Sequence, residues 1–155
     1  MSISAPIDLA LTQARLMEPR NRVYHAYLVS RMRKEAMLLL RERKWRRRVL
    51  LSGTVREFDE RVTAPLHGFE SAADYYARCS AAPVLGRVRV PTLLIHGLDD
   101  PWIPADPYLA FDWRAHPQLT ALLPPQGGHV GFHGRGDRMP WHDRCIAQFF
   151  AHHLG

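Results

Sequence analysis

Two kinds of apolar pattern divide the chain. Between residues 22 and 48, Tyr24, Leu28, Met32, Ala36 and Leu40 fall four positions apart. That spacing predicts one long amphipathic helix with arginines on its other face. Ile7–Glu18 predicts a helical turn or two, and residues 49–64 mix acids, bases and apolar residues too evenly to decide. Ser71 followed by Asp74 has the form of a capping box with Asp in the acceptor position, opening a helix AADYYARCSAA that stops before Pro83. Further on, the apolar residues come in short continuous runs. Thr92–His96 and Leu119–Leu123 read as strands buried on both faces of a parallel sheet, and Met1–Ala5 reads as the end of another. A short helix falls within Pro104–Trp113. Pro140–His153 predicts a last amphipathic helix, with Trp141, Cys145 and Phe149 on one face beside Ile146 and Phe150. Strand–helix–strand–helix over residues 86–155 implies right-handed crossovers and a parallel sheet. So few strands would leave an apolar sheet edge bare, and further strands are expected N-terminal to Met1.

Composition narrows the class. At 155 residues and 46% hydrophobic, the chain suits one globular domain. It contains no apolar run of the roughly 18 residues a membrane span needs. Its first residues, MSISAPIDLA, lack a basic start and a long apolar centre, so no secretory signal is read there. Two cysteines, Cys79 and Cys145, make neither a disulfide framework nor a zinc site; they read as buried small hydrophobes in a reduced, cytoplasmic protein. The net charge of +6 is concentrated. Residues Arg31–Arg48 hold nine Lys or Arg against Glu35 and Glu42, which leaves the remainder near neutral. A solvated helix face is the favoured reading. Weak contact of Arg31–Arg48 with an anionic membrane surface is the alternative, as is general nucleic-acid binding; specific nucleic-acid recognition is not expected.

Candidate chemistry gathers after the two apolar strands. PTLLIHGLDDPWIP ends in a Gly-acid-acid loop, and LTALL is followed by QGGHVGF. A carboxylate and then an imidazole on the ends of successive strands is the back half of a Ser…Asp…His triad in α/β-hydrolase order. Gly127 and Gly128 let the backbone turn beside His129. A G-x-S-x-G nucleophile turn occurs nowhere in the chain. Ser52 lacks the preceding glycine of such a turn and is not read as a nucleophile. His96 is expected to pack and hydrogen-bond locally. Trp102 and Phe132 flank the two loops and are candidates for lining a substrate pocket, with core packing equally open to both. The glycines around His129 and His133 argue against a helix that could set metal-ligand spacing, so no metal is read, and no cofactor is called for.

Several stretches together resemble a known family. SAPIDL, RVYHAYL, REFDERVTAPLHGF, DYYARCSA, HGLDDP and GGHVGF follow in the order and spacing of the C-terminal half of α/β-hydrolases in the YheT-like esterase and lipase branch. HGxxD is common to many hydrolases and GGH is weak alone; REFD…TAPLHGF followed by DYY is the more particular signature. The resemblance implies an α/β fold: the last parallel strands of an α/β-hydrolase with flanking helices, preceded by a helical cap segment. Residues from about 10 to 70 would be cap helices and 71–155 the C-terminal part of the core. It implies Ser-His-Asp hydrolysis of small-molecule or lipid esters. Asp100 matches the acid position of H-G-x-x-D, ahead of its neighbour Asp99, and would orient the base His129. The family's serine lies upstream of the stretch matched here. The competing expectation is a non-catalytic remnant. The oligomeric state is left open.

Overall fold

The computed structural model describes residues 1–134, 136 and 138–154. Its strands are β1 (Ser2–Ile3), β2 (Thr92–Ile95) and β3 (Leu119–Leu122). Its helices are α1 (Leu9–Leu16), α2 (Arg22–Leu39), α3 (Arg43–Leu50), α4 (Val55–Phe58), α5 (Ala64–Leu66), α6 (Ala72–Cys79), α7 (Asp106–Ala110) and α8 (Trp141–Leu154), with a π-helical turn over Asp59–Thr63. Two units result: Met1–Asp8 with Ala81–Gly155, and Leu9–Ser80.

The first unit is built on a parallel sheet of order β1-β2-β3. In β2, Leu93, Leu94 and Ile95 are all buried, because both sheet faces are covered. Alternation sends neighbouring side chains to opposite faces. Leu94 and Leu119 meet Ile7, Leu85 and Tyr108 in one cluster. Leu93 and Ile95 meet Phe132 and, from α8, Trp141, Cys145, Ile146 and Phe149 in another. The face predicted for the last helix is the one it uses at Trp141, Cys145, Ile146 and Phe149, whereas Phe150, expected beside it, is exposed. The Tyr108 hydroxyl ties α7 to the end of β1 by donating to the Ala5 carbonyl at 2.7 Å.

The second unit is helical. The long helix expected over residues 22–48 is broken at residues 40–42 into α2 and α3. Packing overrides periodicity here. Val49 of α3 shares a core cluster with Ala36 of α2, Phe58 and Val62. In one straight helix, Val49 would lie roughly 20 Å along the axis from Ala36, so the chain must turn back. The undecided stretch 49–64 is helical up to Leu50 and again from Val55, with a break at residues 51–54. Thr54 caps α4 by accepting from the Glu57 amide at 3.1 Å, and the Glu57 carboxylate accepts from the Gly53 amide at 2.7 Å. The Ser71 cap forms as the sequence implies, accepting from the Asp74 amide at 3.1 Å.

The π-helical turn carries a buried carboxylate. Asp59 accepts from the Tyr76 hydroxyl at 2.7 Å and the Thr63 hydroxyl at 2.8 Å. Burial pushes its pKa up, and the two hydroxyls pull it part of the way back. One cysteine expectation is corrected. Cys79 is exposed on the last turn of α6, and only Cys145, packed beside the sheet, is partly buried. Among the described residues, no helix is long and apolar enough to cross a membrane.

Candidate active site

The carboxyl ends of β2 and β3 bring the acid and histidine loops together. The ladder runs past the strands: the His96 amide donates to Leu122 O at 3.0 Å and the Leu98 amide to Pro124 O at 2.9 Å. Asp100 follows on one side and His129 on the other. His129 Nδ1 lies 2.9 Å from Asp100 Oδ2. Asp100 Oδ1 accepts from the Trp102 and Ile103 amides at 2.9 and 3.0 Å. Its side chain is fully buried, while the His129 side chain is 28% exposed. Both oxygens of the buried carboxylate are therefore hydrogen-bonded, which a charge removed from water requires. It fixes the imidazole with Nδ1 protonated and leaves Nε2 able to take a proton.

The two adjacent acids do different things. Asp99 turns away from the imidazole, and its Oδ1 accepts from the Gly128 amide at 2.8 Å. On the far side of the histidine, the Val130 amide donates to Ser4 Oγ at 3.3 Å. Both residues flanking His129 are thus held by side chains, one just past β1 and one in the loop after β2. Sequence reasoning treated Asp99 as a competitor for the acid and passed over Ser4. Their signal is positional only: Ser4 directly follows β1, and Asp99 lies in the loop after β2. Gly128 has φ +55, a conformation natural to glycine.

The other candidates separate. The Trp102 ring stands 4.7 Å from the His129 ring at 60°, beside the acid–base pair. Phe132 is buried at 6% exposure against Leu93 and Ile95, as part of the core. His96 is fully buried and stacks on Tyr108 at 4.2 Å. The local hydrogen bonding expected of it does not form: neither ring nitrogen has a hydrogen-bond partner of good geometry among the described residues. Burial pushes its pKa down, which keeps the ring neutral. Ser52 is also fully buried, its hydroxyl donating to Arg48 O at 2.8 Å as a helix-end bond. No group of three metal-ligating side chains comes together among the described residues.

A parallel sheet with a buried acid after one strand and a histidine after the next is the C-terminal layout of an α/β-hydrolase. Comparison with known proteins leads to the same class. The chain is 36% identical over 137 residues to YheT of Escherichia coli, whose name places it among esterases; the match covers 85% of this chain and 40% of that protein. It is 29% identical over 103 residues to an abhydrolase domain-containing protein of Dictyostelium discoideum, covering 66% of this chain and 26% of that one. It is 37% identical over 99 residues to the medium-chain fatty acid ethyl ester synthase/esterase 2 of Saccharomyces cerevisiae, covering 63% and 21%. No protein-family model and no solved structure matches. The chain belongs to the α/β-hydrolases, in the YheT-like branch, and corresponds to their C-terminal part. It spans two fifths or less of the length of each of these three relatives.

Proposed function

We propose that this chain supplies the acid and the base of a Ser-His-Asp ester hydrolase. The observation that carries this reading is the 2.9 Å contact between His129 Nδ1 and the buried Asp100 carboxylate. A serine hydroxyl becomes an effective nucleophile only when a neighbouring imidazole takes its proton. With Nδ1–H held by Asp100, Nε2 of His129 is the nitrogen that would take that proton and later deliver it to the departing alcohol. Asp100 would hold the tautomer and stabilise the imidazolium between those steps. The serine and its elbow would come from sequence outside these 155 residues, since no G-x-S-x-G occurs within them. Residues 10–70 would form the cap, and Trp102 would border the acyl-binding space. The relatives named as esterases, one of them for medium-chain fatty acid ethyl esters, support small-molecule or lipid esters as the substrate class.

The test is ester turnover by the intact protein carrying this chain. His129→Ala should lower kcat on the order of 10⁴-fold or more, and Asp100→Asn by a comparable factor through the wrong tautomer. Wild-type turnover of a p-nitrophenyl ester by His129→Ala would overturn the assignment of the base. Failure of the wild-type protein to turn over a panel of short- and medium-chain esters would favour the non-catalytic reading.

A further inference from the structure

The basic segment bears something that a merely solvated helix face does not. In α3 and the loop before it, Arg41, Arg43, Lys44, Arg46, Arg47 and Arg48 are all exposed. Glu42 offsets one of them, lying 3.0 Å from Lys44. Two exposed leucines precede this run and two follow it: Leu38 at 70% and Leu39 at 79%, then Leu50 at 56% and Leu51 at 58%. Trp45 lies between, with the Lys44 ammonium 5.5 Å and the Arg48 guanidinium 5.1 Å from its ring. The helix has one core anchor, Val49, fully buried against Ala36 and Phe58. Arg43, Arg47 and Leu50 fall at i, i+4 and i+7, so cations and a leucine share an outward row. Leu39 also rims a groove of about 260 Å³ lined by Met32, Phe58, Val62 and Leu66, with Glu35 and His67 also in its wall.

We propose that α3, with the C-terminal end of α2, docks on an anionic lipid surface, its cations against headgroups and Leu38, Leu39, Leu50 and Leu51 at the acyl boundary. Phosphates alone would account for the arginines and leave the leucines in water without benefit. A phospholipid interface accommodates both, because negative headgroups lie next to hydrocarbon. An apolar protein partner would fit the leucines but would have to desolvate six clustered cations. The lipid surface is the occupant whose chemistry matches both halves of the patch. This inference is independent of the proposed ester hydrolysis and can hold if that reading fails.

The experiment is co-sedimentation of the intact protein with vesicles of phosphatidylcholine alone or with about one third phosphatidylglycerol, over a range of salt. Binding is expected only to the anionic vesicles, falling as salt rises. Arg43→Gln with Arg47→Gln should weaken partitioning roughly fivefold per arginine. Leu50→Gln with Leu51→Gln should weaken it by at least about tenfold. Arg87→Gln with Arg89→Gln changes the net charge equally from exposed positions in the other unit and should leave binding near wild type. No binding to anionic vesicles, or equal loss in the control pair, overturns the proposal. If the leucine variant binds vesicles as well as wild type while the arginine variant loses both vesicles and duplex DNA, the surface is a polyanion site and the lipid assignment is wrong.

Discussion

Tyr76→Phe isolates one hydrogen bond in the helical unit. The substitution keeps the buried ring and deletes only the hydroxyl that donates to Asp59 Oδ2 at 2.7 Å. Asp59 is 7% exposed, so water cannot easily replace the lost donor. A hydrogen bond to a charged group contributes about 1.5–3 kcal/mol, and leaving a buried acceptor short of a partner costs a similar amount. A loss of roughly 2 kcal/mol is therefore expected while Asp59 is ionised. The pH dependence carries a further signature. Burial raises the folded-state pKa of Asp59 above its ordinary 3.8. For a raised carboxyl, the folded state binds the proton more readily, so its favourable contribution is fully present below 3.8. It is lost as pH rises through the folded value. Removing the Tyr76 hydroxyl removes one of the influences that lower this pKa, which moves it higher still. The penalty for Tyr76→Phe should then shrink as pH falls, because the bond to a neutral carboxyl is the weaker one. Urea unfolding from about pH 8 to about pH 4, in wild type, Tyr76→Phe, Asp59→Asn and the double variant, measures both effects. A Tyr76→Phe penalty unchanged by Asp59→Asn and constant across pH would refute the account.

Two further predictions follow from the loops and the cysteines. Asp99→Ala, by freeing the Gly128 amide, should lower ester kcat/KM about fivefold, the equivalent of ~1 kcal/mol at an exposed site. Asp99→Asn, whose amide oxygen can still accept, should restore most of it. Equal loss in both, or a displaced pH optimum, would show that Asp99 acts through its charge and not by holding the loop. Cys79 is exposed whereas Cys145 is partly buried, with burial pushing its thiol pKa up. A maleimide should therefore label the native chain in a fast phase that Cys79→Ser abolishes, and a fast phase surviving that change would contradict the burial order.

What could be read in advance depended on how local its cause was. β2, β3 and α8 were legible as elements because continuous apolar runs and an i, i+4 face report packing directly, although β3, at the end of the sheet order, buries only Leu119 and not both faces as expected. Ser71 was legible because a cap needs only a neighbour three residues on. The break after Leu39 was not. Nothing within residues 36–49 announces it; it follows from Val49 having to reach Ala36. Cys79 misled for the opposite reason, since an apolar-leaning helix context does not say which face meets the core. The neighbours Asp99 and Asp100 could be ordered only through the family's H-G-x-x-D spacing. The structure adds the physical difference: Asp100 meets the imidazole and two amides, and Asp99 meets one backbone amide of the opposite loop.

The acid–base pair is as much a property of sheet register as of its own two residues. Ile95 pairs with Leu122, and β1 reaches the same level through Ile3 opposite Ile95. Slipping β3 by one residue would move His129 by about 3.3 Å relative to Asp100, enough to break a 2.9 Å contact. Register alone does not settle the loop, however. Ser4, Val130 and Phe132 all adopt positive φ, at +47°, +62° and +41°. For a β-branched residue such as Val130 this conformation is unfavourable, and strain of this kind costs of order 1–3 kcal/mol per residue. It persists because the surroundings impose it. Ser4 holds the Val130 amide, Asp99 holds the Gly128 amide, and the Phe132 ring is buried under the loop. Local preference is overruled after His129, at Val130 and Phe132, and satisfied before it by Gly127 and Gly128 and along the strands that lead to the loop. That contrast supports reading the strain as the cost of aiming the imidazole at its acid.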